Sequence, residues 1–189
     1  QAGSVPNNFR STGQFLYFSA NNVTNGNELW KTDGTEAGTV MVKDINPSGA
    51  SNPRNLVNVN GILYFTADNA IDGIELWKSD GTDAGTVMIK NINPGGDSNP
   101  AFLTNVNGIL YFAANDGVNG LELWKSNGTE AGTVLVKNIN ASGNSGNPIF
   151  LTDVNGTLYF AAEDGVNGVE VWKSNGTEAG TILVKDIKS

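Results

Sequence analysis

Apolar residues occur along this chain in short runs broken by Gly, Asn, Asp and Ser, with no stretch at helical spacing. Between Pro100 and Asn147 the pattern predicts four β-segments. The first, Phe102 to Val106, ends at Asn107-Gly108, a pair suited to a type I′ hairpin because both residues tolerate positive φ. The second is Ile109 to Ala114. A longer turn over Asn115-Asp116-Gly117-Val118-Asn119-Gly120 leads to the third, Leu121 to Ser126. Asn127 to Gly132 makes the next turn, and Thr133 to Ile139 is the fourth segment. A polar loop then runs from Asn140 to Pro148. Leu110 to Ala114 and Val134-Leu135-Val136 are apolar on both faces, which fits strands covered on each side by a neighbouring sheet.

This pattern recurs. The tryptophans Trp30, Trp77, Trp124 and Trp172 are spaced 47, 47 and 48 residues apart. Pro6, Pro53, Pro100 and Pro148 keep the same intervals, as do the Leu-Tyr-Phe triplets beginning at Leu16, Leu63, Leu110 and Leu158. The extra residue falls in the loop before Pro148, where an insertion disturbs least. A lone unit of this size cannot bury both faces, so the units must stack. The expected fold is all-β: a β-propeller built of four-stranded antiparallel meander blades, four per chain. The blades are placed at about 6–46, 53–93, 100–140 and 148–188 within one repeat domain, 1–189. A linear β array is the alternative.

Composition narrows the chemistry. The chain has 189 residues and a formal charge of −8, which argues against nucleic acid or an anionic membrane as partner. It contains neither His nor Cys, so disulfides, thiolate nucleophiles and zinc or haem ligation through those residues are excluded. No apolar run is long enough to span a bilayer as a helix, and no membrane insertion is expected. Gln1 begins either a processed chain or an excised fragment.

Glu28-Leu29-Trp30-Lys31-Thr32-Asp33-Gly34-Thr35 resembles the bacterial ELWxxDGT repeat family, and Glu75 to Thr82 repeats the motif unchanged. Glu122 to Thr129 has Asn127 in place of Asp; Glu170 to Thr177 has Val171 for Leu and Asn175 for Asp. The resemblance covers nearly the whole chain. It implies propeller-like repeats of large secreted or surface-associated bacterial proteins, and with them an extracellular or cell-surface location. It implies no particular activity. The turn also resembles the Asp-box of sialidase-type propellers, whose Asp, Gly and Thr hold a hairpin. Asp33, Asp80, Asn127 and Asn175 are therefore expected to be structural turn residues, since either side-chain oxygen can cap a turn.

Three candidate chemistries remain. Glu28, Glu75, Glu122 and Glu170 share a strand face with the blade Trp and could ring a channel as ligands of a hard cation such as calcium. The plainer expectation is a carboxylate bonded to backbone or to a neighbouring Lys. Trp30, Trp77, Trp124 and Trp172 could stack on sugar rings, or instead fill the spaces between blades. Asp116 with Asn119 and Asp164 with Asn167 loosely resemble calcium loops, but Asn22 with Asn25 and Asp68-Asn69 with Asp72 do not keep the charge in register, so turn propensity explains them better.

Catalysis finds little support, because every carboxylate comes in near-identical copies and repetition suggests equal environments. The expectation is no enzyme and no required cofactor. The favoured reading is a structural or interaction module that self-associates; the alternative is a multivalent binder of glycan or calcium. Four whole blades with no spare strand favour a homodimer, closing an eight-bladed ring, over a monomer.

Overall fold

The structure, a computed structural model, describes residues 3–188. Each repeat folds into one four-stranded antiparallel sheet whose strands keep chain order. Blade 1 comprises β1 (Asn7–Ser11), β2 (Leu16–Asn22), β3 (Gly26–Thr32) and β4 (Val40–Lys43). Blade 2 comprises β5 (Arg54–Val59), β6 (Ile62–Asp68), β7 (Ile74–Ser79) and β8 (Val87–Lys90). Blade 3 comprises β9 (Ala101–Val106), β10 (Ile109–Asn115), β11 (Leu121–Ser126) and β12 (Val134–Lys137). Blade 4 comprises β13 (Ile149–Val154), β14 (Thr157–Glu163), β15 (Val169–Ser174) and β16 (Ile182–Lys185). Among the described residues there is no helix.

The hairpins form for the local reasons expected. At Asn107-Gly108 both residues have positive φ, 51° and 83°, and the same pair recurs at Asn60-Gly61 and Asn155-Gly156. One backbone feature was not anticipated. The first strand of every blade is bulged at a non-glycine residue near φ +55°: Asn8, Asn55, Phe102 and Phe150. At these positions the pairing register slips against the second strand, which bends the first strand and turns its side chains. The final strand is shorter than predicted: Val134–Lys137 rather than Thr133 to Ile139.

The chain divides into two compact units, one holding blades 1 and 2 and the other blades 3 and 4. In the first, Tyr17, Leu29, Val42 and Ile45 of blade 1 pack against Leu56, Leu63, Phe65 and Trp77 of blade 2. In the second, Tyr111, Leu123, Val136 and Ile139 of blade 3 pack against Leu151, Leu158, Phe160 and Trp172 of blade 4. The two clusters use the same repeat positions. A blade therefore has two distinct faces: a forward face carrying Tyr17-type and Leu29-type residues, and a rear face carrying the Leu-x-Phe pair and the Trp. Within each unit, forward meets rear.

Candidate functional site

Each motif residue can be followed from its strand to its contacts. Glu28 lies near the start of β3, fully buried beneath the loop that leaves β4 for the next blade. One carboxylate oxygen accepts the Ser51 amide at 2.8 Å; the other accepts the Ile45 amide at 3.0 Å and the Ser51 hydroxyl at 2.5 Å. Glu122 does the same in blade 3, accepting the amides of Ile139 at 2.9 Å and Gly146 at 2.7 Å. Gly146 stands where blade 1 has Ser51, and a Cβ there would sit 2.6 Å from the Glu122 carboxylate. Burial raises the carboxyl pKa of both residues, and the donors offset it only in part. A calcium ion would need the lone pairs that these N–H and O–H groups already occupy, so Glu28 and Glu122 act as pins for the crossing loop. Glu75 is equally buried.

Glu170 differs. It is 7% exposed, and no donor among the described residues bonds its carboxylate. It opens instead into a cleft of about 540 Å³ that Asp186 and Lys188 also line. Repetition in sequence has thus not produced equal environments.

Trp77 and Trp172 are buried in the inter-blade clusters, and Trp124 is buried too; Trp30, on the rear face of blade 1, is half-buried. The buried three present no open ring face for a sugar.

At the DGT turn, Asp33 Oδ1 accepts the Thr35 amide at 2.9 Å and the Thr35 hydroxyl at 2.7 Å, and that hydroxyl accepts the Gly38 amide at 2.9 Å. Asp80 repeats these bonds, and Asn127 and Asn175 repeat them through their amide oxygen. The turn needs an oxygen, not a charge, which is why Asp and Asn interchange. The second glycine of the turn is fixed by contact: a Cβ on Gly38 would stand 2.0 Å from Asp33 Oδ1. The Thr35 hydroxyl, then the Thr35 amide, hold the Asp33 carboxyl below its ordinary pKa, and Thr82 does so for Asp80.

Two features escaped the sequence reading. The first is a trio of Asx side chains in each blade: Asn22, Asn25 and Asp44; Asn69, Asp72 and Asn91; Asp116, Asn119 and Asn138. The third member, 19 residues beyond the second, closes each trio: Asn25 Nδ2 donates to Asp44 at 2.7 Å, Asn91 Nδ2 to Asp72 at 2.8 Å, and Asn138 Nδ2 to Asn119 at 3.0 Å. Blades 1 to 3 each carry one carboxylate per trio, at a different corner each time. Blade 4 carries two, Asp164 and Asp186 around Asn167. The signal was present as Asx recurring 19 residues downstream, hidden because no single position keeps its charge. Among the described residues no group of three acidic side chains is placed to hold a metal ion.

The second is a cleft of about 360 Å³ in the unit of blades 3 and 4, with Tyr111, Lys125, Asn127 and Asn175 at its wall and Ile109 beneath. In the unit of blades 1 and 2, Phe15 stands at the Ile109 position. Its ring lies 4.4 Å below Lys31 Nζ and edge-on to Tyr17. Ile109 is the smaller side chain at this position and lines the cleft.

No family model matches this chain, and no curated protein matches it. Solved structures do. Puromycin hydrolase superposes with a TM-score of 0.56 at 15% identity, over 95% of this chain and 29% of that one. A serine-to-alanine variant of it, complexed with PGG, gives 0.62 at 15% identity over 99% of this chain and 30% of that one. The chain is a β-propeller module. It spans less than a third of the length of these matches. An α-L-arabinofuranosidase from Clostridium thermocellum aligns at 18% identity over 93% of this chain and 70% of that one, with a TM-score of 0.41. The expectation that the chain is no enzyme is corrected by these matches, since structures of this fold belong to enzymes. At such identity the likeness establishes the fold and transfers no activity. Sequence symmetry does not equalise the carboxylates either, because Glu170 occupies surroundings unlike those of Glu28 and Glu122.

Proposed function

We propose that this module works through its blade faces, as an interaction and structural part of a secreted or surface repeat protein of the ELWxxDGT type, and that it self-associates. The supporting observation is where its polar motif residues are used. Glu28, the DGT turn at Asp33, and Lys31 and Lys125 bind backbone of their own or the adjacent blade, at 2.7–3.0 Å. Such residues build and couple blades. Sedimentation velocity and native mass spectrometry of the purified chain test the reading: the expected species is a dimer, and a chain that stays monomeric at about 100 µM, a concentration at which even weak specific contacts populate, would overturn it.

A second reading has one observation in its favour. The cleft beside Tyr111, Lys125, Asn127 and Asn175 offers hydroxyl, ammonium and amide groups within a small volume, which suits a hydroxylated ligand such as a monosaccharide. Glycan-array binding that is lost in an Ile109→Phe variant, which copies the Phe15 arrangement, would establish it.

A further inference from the structure

Forward meets rear inside both units, while the forward face of blade 4 and the rear face of blade 1 expose side chains whose counterparts are buried. On blade 4 the forward face is bare. Val184 is 49% exposed where Val136, its counterpart in blade 3, is 5%; Ile187 is 69% exposed where Ile139 is 5%. On blade 1 the rear face is partly open: Phe18 stays buried under the ring of Phe9 and Trp30 is half-buried, but the outer positions are exposed. Leu16 is 38% exposed where Leu63 of blade 2 is fully buried, and Phe9 is 56% exposed where Leu56 is 5%. These are complementary halves of an interface the chain builds twice within itself.

The polar half-sites match too. Ser4 stands one repeat before Ser51: its carbonyl accepts the Asn21 amide at 2.8 Å, as that of Ser51 accepts Asp68 at 2.9 Å. Ser51 gives its amide and hydroxyl to Glu28. The Ser4 amide and hydroxyl are thus the corresponding donors, exposed on blade 1, while Glu170 is the corresponding acceptor, open to its cleft on blade 4. Lys173 likewise occupies the position of Lys31 and Lys125, which bind the glycine carbonyl of the next DGT turn at 2.7 and 2.8 Å; on blade 1 that carbonyl belongs to Gly34.

We propose that the forward face of blade 4 docks the rear face of blade 1 of a second copy, with Ser4 of the one copy bonded to Glu170 of the other. The occupant is a second copy because the open surface presents, position for position, the contacts that blade 2 makes with blade 1. The contact is heterologous, unlike surfaces meeting, so it requires both faces. It specifies the self-association proposed above and rests on that reading.

Blocking each face separately tests it. Val184→Glu should abolish docking from blade 4, and Leu16→Glu should abolish it from blade 1. Both positions are partly exposed, and unchanged circular dichroism and melting would confirm folding. Each variant alone should be monomeric, because it retains only one half of the contact. An equimolar mixture of the two should form a one-to-one dimer through the faces left intact. Glu170→Gln and Ser4→Ala should each weaken dimerisation by about tenfold, the usual size for a lost hydrogen bond to a charged group. If the single variants still dimerise, or the mixture stays monomeric while the wild type dimerises, the proposed faces are wrong although self-association stands. A monomeric wild type removes both.

Discussion

Lys31 Nζ donates to the carbonyl oxygen of Gly81 at 2.7 Å, across fifty residues of chain, and so ties the third strand of blade 1 to the DGT turn of blade 2. Lys125 and Gly176 repeat the bond at 2.8 Å between blades 3 and 4. Replacing Lys31 by Met keeps the apolar stem over Phe15 and removes the donor. The expected loss is about 1.5–3 kcal/mol, the range for hydrogen bonds to charged groups, read as a lower urea midpoint at unchanged slope.

Gly81 is also pressed from the side by Tyr17, whose hydroxyl would lie 2.5 Å from an added Cβ, and its φ is +92°. Gly81→Ala should therefore destabilise, partly through backbone strain and partly through collision with the phenol. In a Tyr17→Phe background the collision is relieved, and only the backbone cost of about 1 kcal/mol should remain. Equal effects in the two backgrounds would show that the tyrosine takes no part.

The turn residues make a contrasting case. Asp80→Asn should leave the melting temperature nearly unchanged, since Asn127 and Asn175 already serve in that role. Asp80→Ala removes the oxygen that holds the Thr82 amide and hydroxyl and should lower melting by a few degrees. The thermal midpoints of the two variants at neutral pH separate the need for an oxygen from the need for a charge.

The repeat, the four strands of each blade and the structural turns were legible because each is a local demand met within a few residues: an Asn-Gly pair, an alternation, a capping oxygen. What could not be read depended on partners at long range. Glu28 was visible as a repeated carboxylate, but its purpose lies in Ile45 and Ser51, residues of a loop whose path no pattern predicts. The positive φ of Phe102 and Phe150 ran against intrinsic preference, so the bulge had no signal in residue type there. Treating Glu170 as equivalent to Glu28 failed because burial depends on what covers a face.

The buried carboxylates predict a pH response. In Glu28 and Glu122 burial raises the folded-state pKa above its ordinary value near 4.5, so the native state binds protons more readily than the unfolded one. The resulting contribution is fully present below about pH 4.5 and is lost as pH rises through the raised pKa. Asp33 and Asp80, lowered by their threonine donors, act oppositely: their contribution is present above about pH 3.8 and lost as pH falls through the depressed pKa. Melting curves of wild type and Glu122→Gln between pH 3 and 7 should diverge above about pH 4.5, with the wild type losing more. A constant gap would contradict the burial effect.

The Asx trios can be tested by moving their charge. Asp44→Asn leaves blade 1 with three amides and no carboxylate to accept from Asn25, and should cost about 1–2 kcal/mol. Adding Asn25→Asp recreates the blade 2 arrangement, in which the central Asp72 accepts from Asn69 and Asn91, and should recover most of the loss. Chemical denaturation of the two single variants and the double variant gives the coupling directly.

Those trios also shape how such repeats can diverge. A step from one working arrangement to another passes through a trio with no carboxylate or with two, so single changes are penalised and paired changes are not. Comparing the blades one column at a time would score all three positions as freely variable, although the sum over them is held at one in three blades. The fourth blade, with Asp164 and Asp186 together, occupies such an intermediate state, and Asp186 lines the same cleft as Glu170.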